Sequence, residues 1–103
     1  MALQVIVFIT AKPGCRDAVL AAFNDNVPRV LAEDGCEAYG AYVDAAGYRP
    51  PLASFGPDTL VVLERWTTRE ALKAHATAAH VLAYQAKVKD WIETRMVHVM
   101  SPV

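Results

Sequence analysis

Apolar positions along the chain fall into four strand-like runs and two helix-like stretches. Residues 3–10, LQVIVFIT, are rich in β-branched and aromatic side chains, which suits a strand. KPG at 12–14 predicts a turn, and a helix follows from about Cys15 to Glu33. Within it Val19, Phe23, Val27, Val30 and Leu31 recur at helical spacing and define one buried stripe. Pro28 interrupts this pattern. It removes one amide donor and predicts a kink or a split at that point. EDG at 33–35 supplies the stop, with Gly35 free to turn left-handed. Residues 36–45, 59–66 and 94–100 read as the second, third and fourth strands. Segment 46–58, with three prolines and two glycines, is a long loop for so short a chain. Its Tyr48, Leu52 and Phe55 predict an arm that packs over something.

The second helical stretch, from about Arg69 to Glu93, starts at a cap formed by Thr67 with Glu70, or by Thr68. Leu72, His75 and Ala79 share one face. Val81, Tyr84, Val88 and Trp91 share another. On one straight helix Leu72 and Val81 would lie on opposite sides, which does not suit a helix lying on a sheet. The conflict predicts a break between about Ala76 and His80, giving a short helix and then a longer one.

The order β-α-β-β-α-β is that of a ferredoxin-like α+β fold: a four-stranded antiparallel sheet covered by helices on one face. In the third strand Leu60, Val62, Glu64 and Trp66 point one way, and Val61, Leu63 and Arg65 the other. Both sets are largely apolar, whereas a sheet with one wet face should alternate. The uncovered face predicts a homodimer, sheet against sheet, closing a dimeric α/β barrel.

Composition sharpens this picture. The chain has 103 residues and 54% apolar content. That length is one domain, residues 1–103, with a limited interior, so a subunit interface or ligand cavity must absorb part of the apolar surface. Net charge is −1 and the cations are scattered singly, which argues against a nucleic-acid partner. The apolar opening MALQVIVFIT lacks a basic leader and is too short to span a bilayer, so no membrane segment is expected and the default location is cytoplasmic. Cys15 and Cys36 match no metal spacing and read as free thiols of a reducing compartment.

Candidate chemistry gathers in VVLERWTTREALKAHATAAH, residues 61–80. If Glu64 and Trp66 face the helices, they meet the short helix that carries His75. A carboxylate, an indole and an imidazole would then surround a semi-enclosed apolar hollow, the usual form of a small-molecule site. Each residue also has a plainer reading: Glu64 a wetted edge carboxylate paired with Arg65 or Lys73, Trp66 core, His75 a core-edge imidazole, His80 a cap. His75 and His80 are about 140° apart on a regular helix, and no Cys or Asp completes a metal set. There is no phosphate loop, nucleophile elbow or dinucleotide fingerprint, so no metal, NAD or flavin is implied.

The stretch ERWTTREALKAHATAAHVLAY resembles the signature of the antibiotic biosynthesis monooxygenase family: Glu-x-Trp, a helix start, a His, and a second His about five residues on. Here these are Glu64, Trp66, His75 and His80. VPRVLAEDGCEAYGAYVDAA and SFGPDTLVVLERW resemble the quinol monooxygenase branch, which often has a proline before the second histidine; this chain has Ala79. The resemblance implies a ferredoxin-like dimer that oxidises a quinol or polycyclic phenol with O2, without metal or flavin. On that reading His75 and Glu64 are catalytic: the imidazole takes or relays the phenolic proton and the carboxylate orients it. Trp66 is the wall on which the ring stacks, and His80, Tyr84 and Tyr39 contact substrate.

Three other readings compete. A dimeric protein that sequesters a small aromatic ligand would bind without turnover. Haem-degrading relatives of the same fold are recognised partly by an Asn on the first strand, where this chain has LQVIVFIT. An isomerase for a small keto sugar would need polar or cationic walls, for which Arg49 and Arg65 are the candidates.

Overall fold

The computed structural model describes residues 2–103. Its elements are β1 (Leu3–Ala11), α1 (Arg16–Leu31), β2 (Cys36–Tyr42), β3 (Thr59–Trp66), α2 (Arg69–Ala76), α3 (Ala79–Val88), a short 3-10 turn (Lys89–Trp91) and β4 (Ile92–Met100). All four strands join one antiparallel sheet in the order β2-β3-β1-β4. This is the ferredoxin-like arrangement.

Strand β1 shows how the sequence pattern becomes a layer. Leu3, Val5, Val7, Ile9 and Ala11 are buried toward the helices, and the residues between them are exposed or half-buried. Neighbouring strands keep this register. Tyr39 of β2 lies beside Glu64 of β3, which lies beside Val5 of β1 and then Val99 of β4. Val19, Ala22, Phe23 and Val30 of α1 and Val81 and Val88 of α3 close the core from above.

Helix α1 is not split: it runs unbroken through Pro28 and ends one turn later. The proline falls so near the end that only one amide of the last turn is lost. Leu31, expected in the buried stripe, is 48% exposed, and Asn26 takes a buried place instead. Its amide Nδ2 donates to the His80 carbonyl, 3.3 Å, tying α1 to the start of α3.

The predicted helix break is present at Thr77–Ala78. Ala78 is extended (φ −64°, ψ 139°), and its carbonyl accepts from Val81 and Leu82 at 3.0 Å each, which starts α3 in a new direction. Ala79 is exposed, so it does not share the buried face of His75 as expected; the residue falls just past the break. Thr68 is the cap of α2, accepting from Ala71 N at 3.1 Å. Strand β2 stops at Tyr42 rather than residue 45, and β4 begins at Ile92, two residues early.

Gly35 has φ +80°. A Cβ there would stand 2.6 Å from Ala71 Cβ and 2.6 Å from Thr67 Oγ1. Only glycine lets the α1–β2 turn press this closely on the first turn of α2. The Gly35 carbonyl also accepts from Thr67 N at 2.9 Å.

The face of the sheet away from the helices carries Ile6, Phe8, Tyr42, Leu63, Met96 and Met100. The 43–58 loop reaches this face through Phe55, whose ring lies 5.8 Å from that of Phe8. Asp44 holds the loop, accepting from Ser54 Oγ (2.8 Å), Phe55 N (2.9 Å) and Gly56 N (3.0 Å). These donors hold its carboxyl below the usual range. The predicted arm touches the sheet only through the Phe55 ring, and Tyr48, Leu52 and Phe55 itself all stay exposed.

Candidate functional site

Strand parity sends Glu64 inward, where few carboxylates are found. It is 7% exposed. Trp66 Nε1–H donates to its Oε1 at 2.9 Å, which compensates part of the desolvation. Burial still pushes the carboxyl above its ordinary value, against the opposing effects of the indole bond and of His75.

His75 reaches the same point from α2. It is 8% exposed, and its ring lies 4.6 Å from Trp66 and 5.6 Å from Tyr39, edge-on to the latter. Nε2 is 3.9 Å from Glu64 Oε1. On its other side Nδ1–H donates to Glu33 Oε2 at 3.0 Å. A carboxylate can only accept, so this contact fixes the proton on Nδ1 and leaves Nε2 as the nitrogen that faces Glu64.

Glu33 is the residue that sequence reasoning missed. The same Oε2 also takes a hydrogen bond from His80 Nε2 at 2.8 Å. One carboxylate therefore joins both histidines, across 42 and 47 residues of chain. Its signal was faint: an acidic residue just past a helix C-terminus, where the helix dipole favours cations, needs some other partner. Gly35, two residues on, is what brings it against α2.

Two contiguous hollows lie under α2 and α3. The larger, of about 230 Å³, is lined by Val5, Val7, Leu72, Val81, Val97 and Val99 around Glu64 and His75. The smaller, of about 40 Å³, adds Phe23, Tyr39 and Tyr84. Both are also lined by Arg95 and Gln85, which the sequence did not single out. Arg95 lies opposite Ile9 on β4, so register alone places it on this face. It makes no ion pair among the described residues. Tyr39 stacks on Phe23 at 4.9 Å, and burial raises its phenol well above the ordinary value. Tyr84 Oη is buried without a hydrogen-bond partner, and burial pushes its phenol up to about 12. A buried hydroxyl without a partner is costly unless a guest supplies one.

Four expected residues thus meet at the hollow: Glu64, His75, Tyr39 and Tyr84. Trp66 lies behind it. The indole is fully buried and lines neither cavity, so it backs the Glu64 carboxylate instead of offering a stacking face. His80 also lies elsewhere, in a cleft of about 480 Å³ between α1 and α3 that Asp25, Asn26, Arg29 and Lys87 help to line. Arg65, an alternative partner for Glu64, points outward and pairs with Glu37 at 3.3 Å. No group of three or more His, Cys, Asp or Glu placed to hold a metal ion occurs among the described residues. Among the described residues, no helix is long and apolar enough to cross a membrane.

Residues 2–87 match the family model described as antibiotic biosynthesis monooxygenase. The Escherichia coli K12 protein named "Probable quinol monooxygenase YgiN" is 38% identical over 103 residues, spanning 97% of each chain. Rv0793 of Mycobacterium tuberculosis is 34% identical over 102 residues, 98% of this chain and 91% of that protein. The solved structure of Rv0793 superposes with a TM-score of 0.81, covering 100% of this chain and 96% of that one. PA3566 from Pseudomonas aeruginosa, 22% identical, shares the fold with a TM-score of 0.83 over 99% of this chain and 94% of that one.

Proposed function

The chain belongs to the antibiotic biosynthesis monooxygenase family, and we propose that it oxidises a quinol or polycyclic phenol with O2 in the hollow between Glu64, His75 and Tyr84. The observation that carries this reading is the convergence of His75 Nε2 and a buried carboxyl on an apolar cavity. The likeness to a protein named as a quinol monooxygenase supports the substrate class.

The chemistry asks little of the protein. A hydroquinone and O2 give a hydroxyquinone and water: one oxygen atom forms the new C–O bond and the other leaves as water. The ring supplies the electrons once it is ionised, so on this reading neither metal nor flavin takes part. His75 Nε2 accepts the phenolic proton, with Glu33 holding the imidazole by its other nitrogen. Glu64 flanks the accepting nitrogen. Arg95, at the cavity wall, favours the phenolate through its charge. Buried Val5, Val7 and Val81 shield the anion from water on the core side, while Val97 and Val99 on β4 stay exposed.

The apolar outer face of the sheet supports a homodimer, with that face of one copy against that of another. Two free cysteines fit a reducing cytoplasm. The test is oxygen uptake with a panel of hydroquinones and anthrones, followed by mass analysis of the product in 18O2. A hydroxyquinone carrying one labelled atom is the expected product. Tight binding without oxygen uptake would replace the reaction with ligand sequestration.

A further inference from the structure

His75 and His80 open onto different spaces, one into the apolar hollow and the other into the cleft between α1 and α3. Glu33 Oε2 stands between them, 3.0 Å from His75 Nδ1 and 2.8 Å from His80 Nε2. The His75 side chain is 10% exposed, that of Glu33 14% and that of His80 27%, so the string runs outward toward water. We propose that Glu33 and His80 form a proton relay connecting the cavity imidazole to solvent. This rests on the reading of His75 as the base.

The steps balance. Nε2 of His75 gains the proton that the substrate hydroxyl loses, and the imidazolium passes its Nδ1 proton to Glu33. His80 donates Nε2–H to the resting carboxylate, so its ring first shifts to the Nδ1–H tautomer by proton exchange with water. Nε2 then takes the proton from Glu33 and Nδ1 releases one to water. Monooxygenation of a quinol yields no net proton, so the string also runs inward by the reverse of these transfers, supplying a proton when the second oxygen departs as water. Its benefit is electrostatic. An imidazolium held against a phenolate makes the ring a poorer electron donor. Moving that charge outward restores the ring's reducing power toward O2.

A structural reading would make Glu33 merely a staple between α2 and α3. The geometry favours transfer, because every member is a group that can both gain and lose a proton, and the contacts are within hydrogen-bond range. The charged and titratable groups around the string are Glu64 of β3, Cys36 and Tyr39 of β2, Tyr84 of α3, Arg95 of β4, Asp34 and Glu70 beside Glu33, and Asp25 and Arg29 of α1 with Lys87 of α3 around His80.

The test uses His80→Gln, which fills the site and can still donate a hydrogen bond but does not gain or lose a proton, and His80→Ala, which leaves room for a small base. With hydroquinones as substrates, kcat is expected to fall about 10-fold in both while KM holds. Added imidazole restores His80→Ala alone. Unchanged kcat, or a defect in His80→Ala that imidazole does not repair, overturns the relay. If wild-type protein oxidises no quinol, the functional reading fails by itself, and the relay is judged by NMR. Solvent exchange of the His75 Nδ1 proton in 15N-labelled protein then decides: slowing in His80→Gln supports the relay, and equal rates overturn it.

Discussion

Trp66 Nε1 donates to Glu64 Oε1 at 2.9 Å, two residues back along the same strand, and both side chains are buried. The indole is thus the polar partner of the carboxyl that faces the cavity. Trp66→Phe removes that donor along with part of the ring. The stability loss should be about 2–4 kcal/mol, from lost packing plus an unpaired buried acceptor. Because the indole bond favours the ionised form, the Glu64 pKa should rise further, as a 13C titration of the carboxyl would show.

Glu64→Gln separates charge from shape. Burial raises the carboxyl's pKa, so the native state binds this proton more tightly than the unfolded chain does. That contribution is fully present below the unfolded value of about 4.3 and is lost as pH rises through the native value. The glutamine variant keeps an acceptor for Trp66 and has no such loss. Urea melts across pH should show wild type falling behind it as pH rises toward neutrality, while turnover is lower in the variant. A gap that narrows with rising pH would contradict the assigned direction.

His75→Ala should reduce oxygen uptake with the best hydroquinone by about 10²-fold or more, the ordinary contribution of a general base. Equal uptake in the variant would remove His75 from the reaction.

Gly35→Ala tests the turn that delivers Glu33. It must bear both a left-handed φ and contacts of 2.6 Å with Ala71 and Thr67. A loss of about 2–4 kcal/mol is expected in denaturant melts. His75 and His80 imidazole resonances should shift as their shared carboxylate moves.

Leu63→Glu combined with Met96→Glu places charge on the outer face of the sheet, where the two residues are 42% and 58% exposed. Sedimentation should find a dimer in wild type and a monomer in the variant, since unpaired charges buried at an interface are strongly disfavoured. A monomeric wild type would remove the sheet-to-sheet interface.

Strand parity and helix periodicity carried much of the architecture. The clash between the Leu72 and Val81 faces was enough to place a break between about Ala76 and His80, within which it falls at Thr77–Ala78, because a straight helix cannot bury two opposite stripes. Parity in β3 likewise put Glu64 and Trp66 on one face, and left it to the structure to show that this face is the inner one. Depth within that layer was not legible: alternation says which face a side chain takes, not whether it lines a hollow, and so Trp66 was expected as a wall. Glu33 was invisible for a different reason. Its partners are distant in sequence and its own neighbourhood reads as a helix stop. Arg95 follows from the β1–β4 register, which a sequence does not state. Leu31 and Ala79 sit where a helix ends or begins, and there periodicity no longer predicts burial.

The joint at Thr77–Ala78 frees the two imidazoles from the angular rule of a continuous helix. Their common anchor depends on loop length as much as on residue identity. Inserting one alanine there would swing the start of α3 by about 100° if the new residue joined the helix, carrying His80 off the carboxylate while leaving His75 in place. The count of residues in this joint is therefore itself under constraint, although no side chain in it touches the site's chemistry.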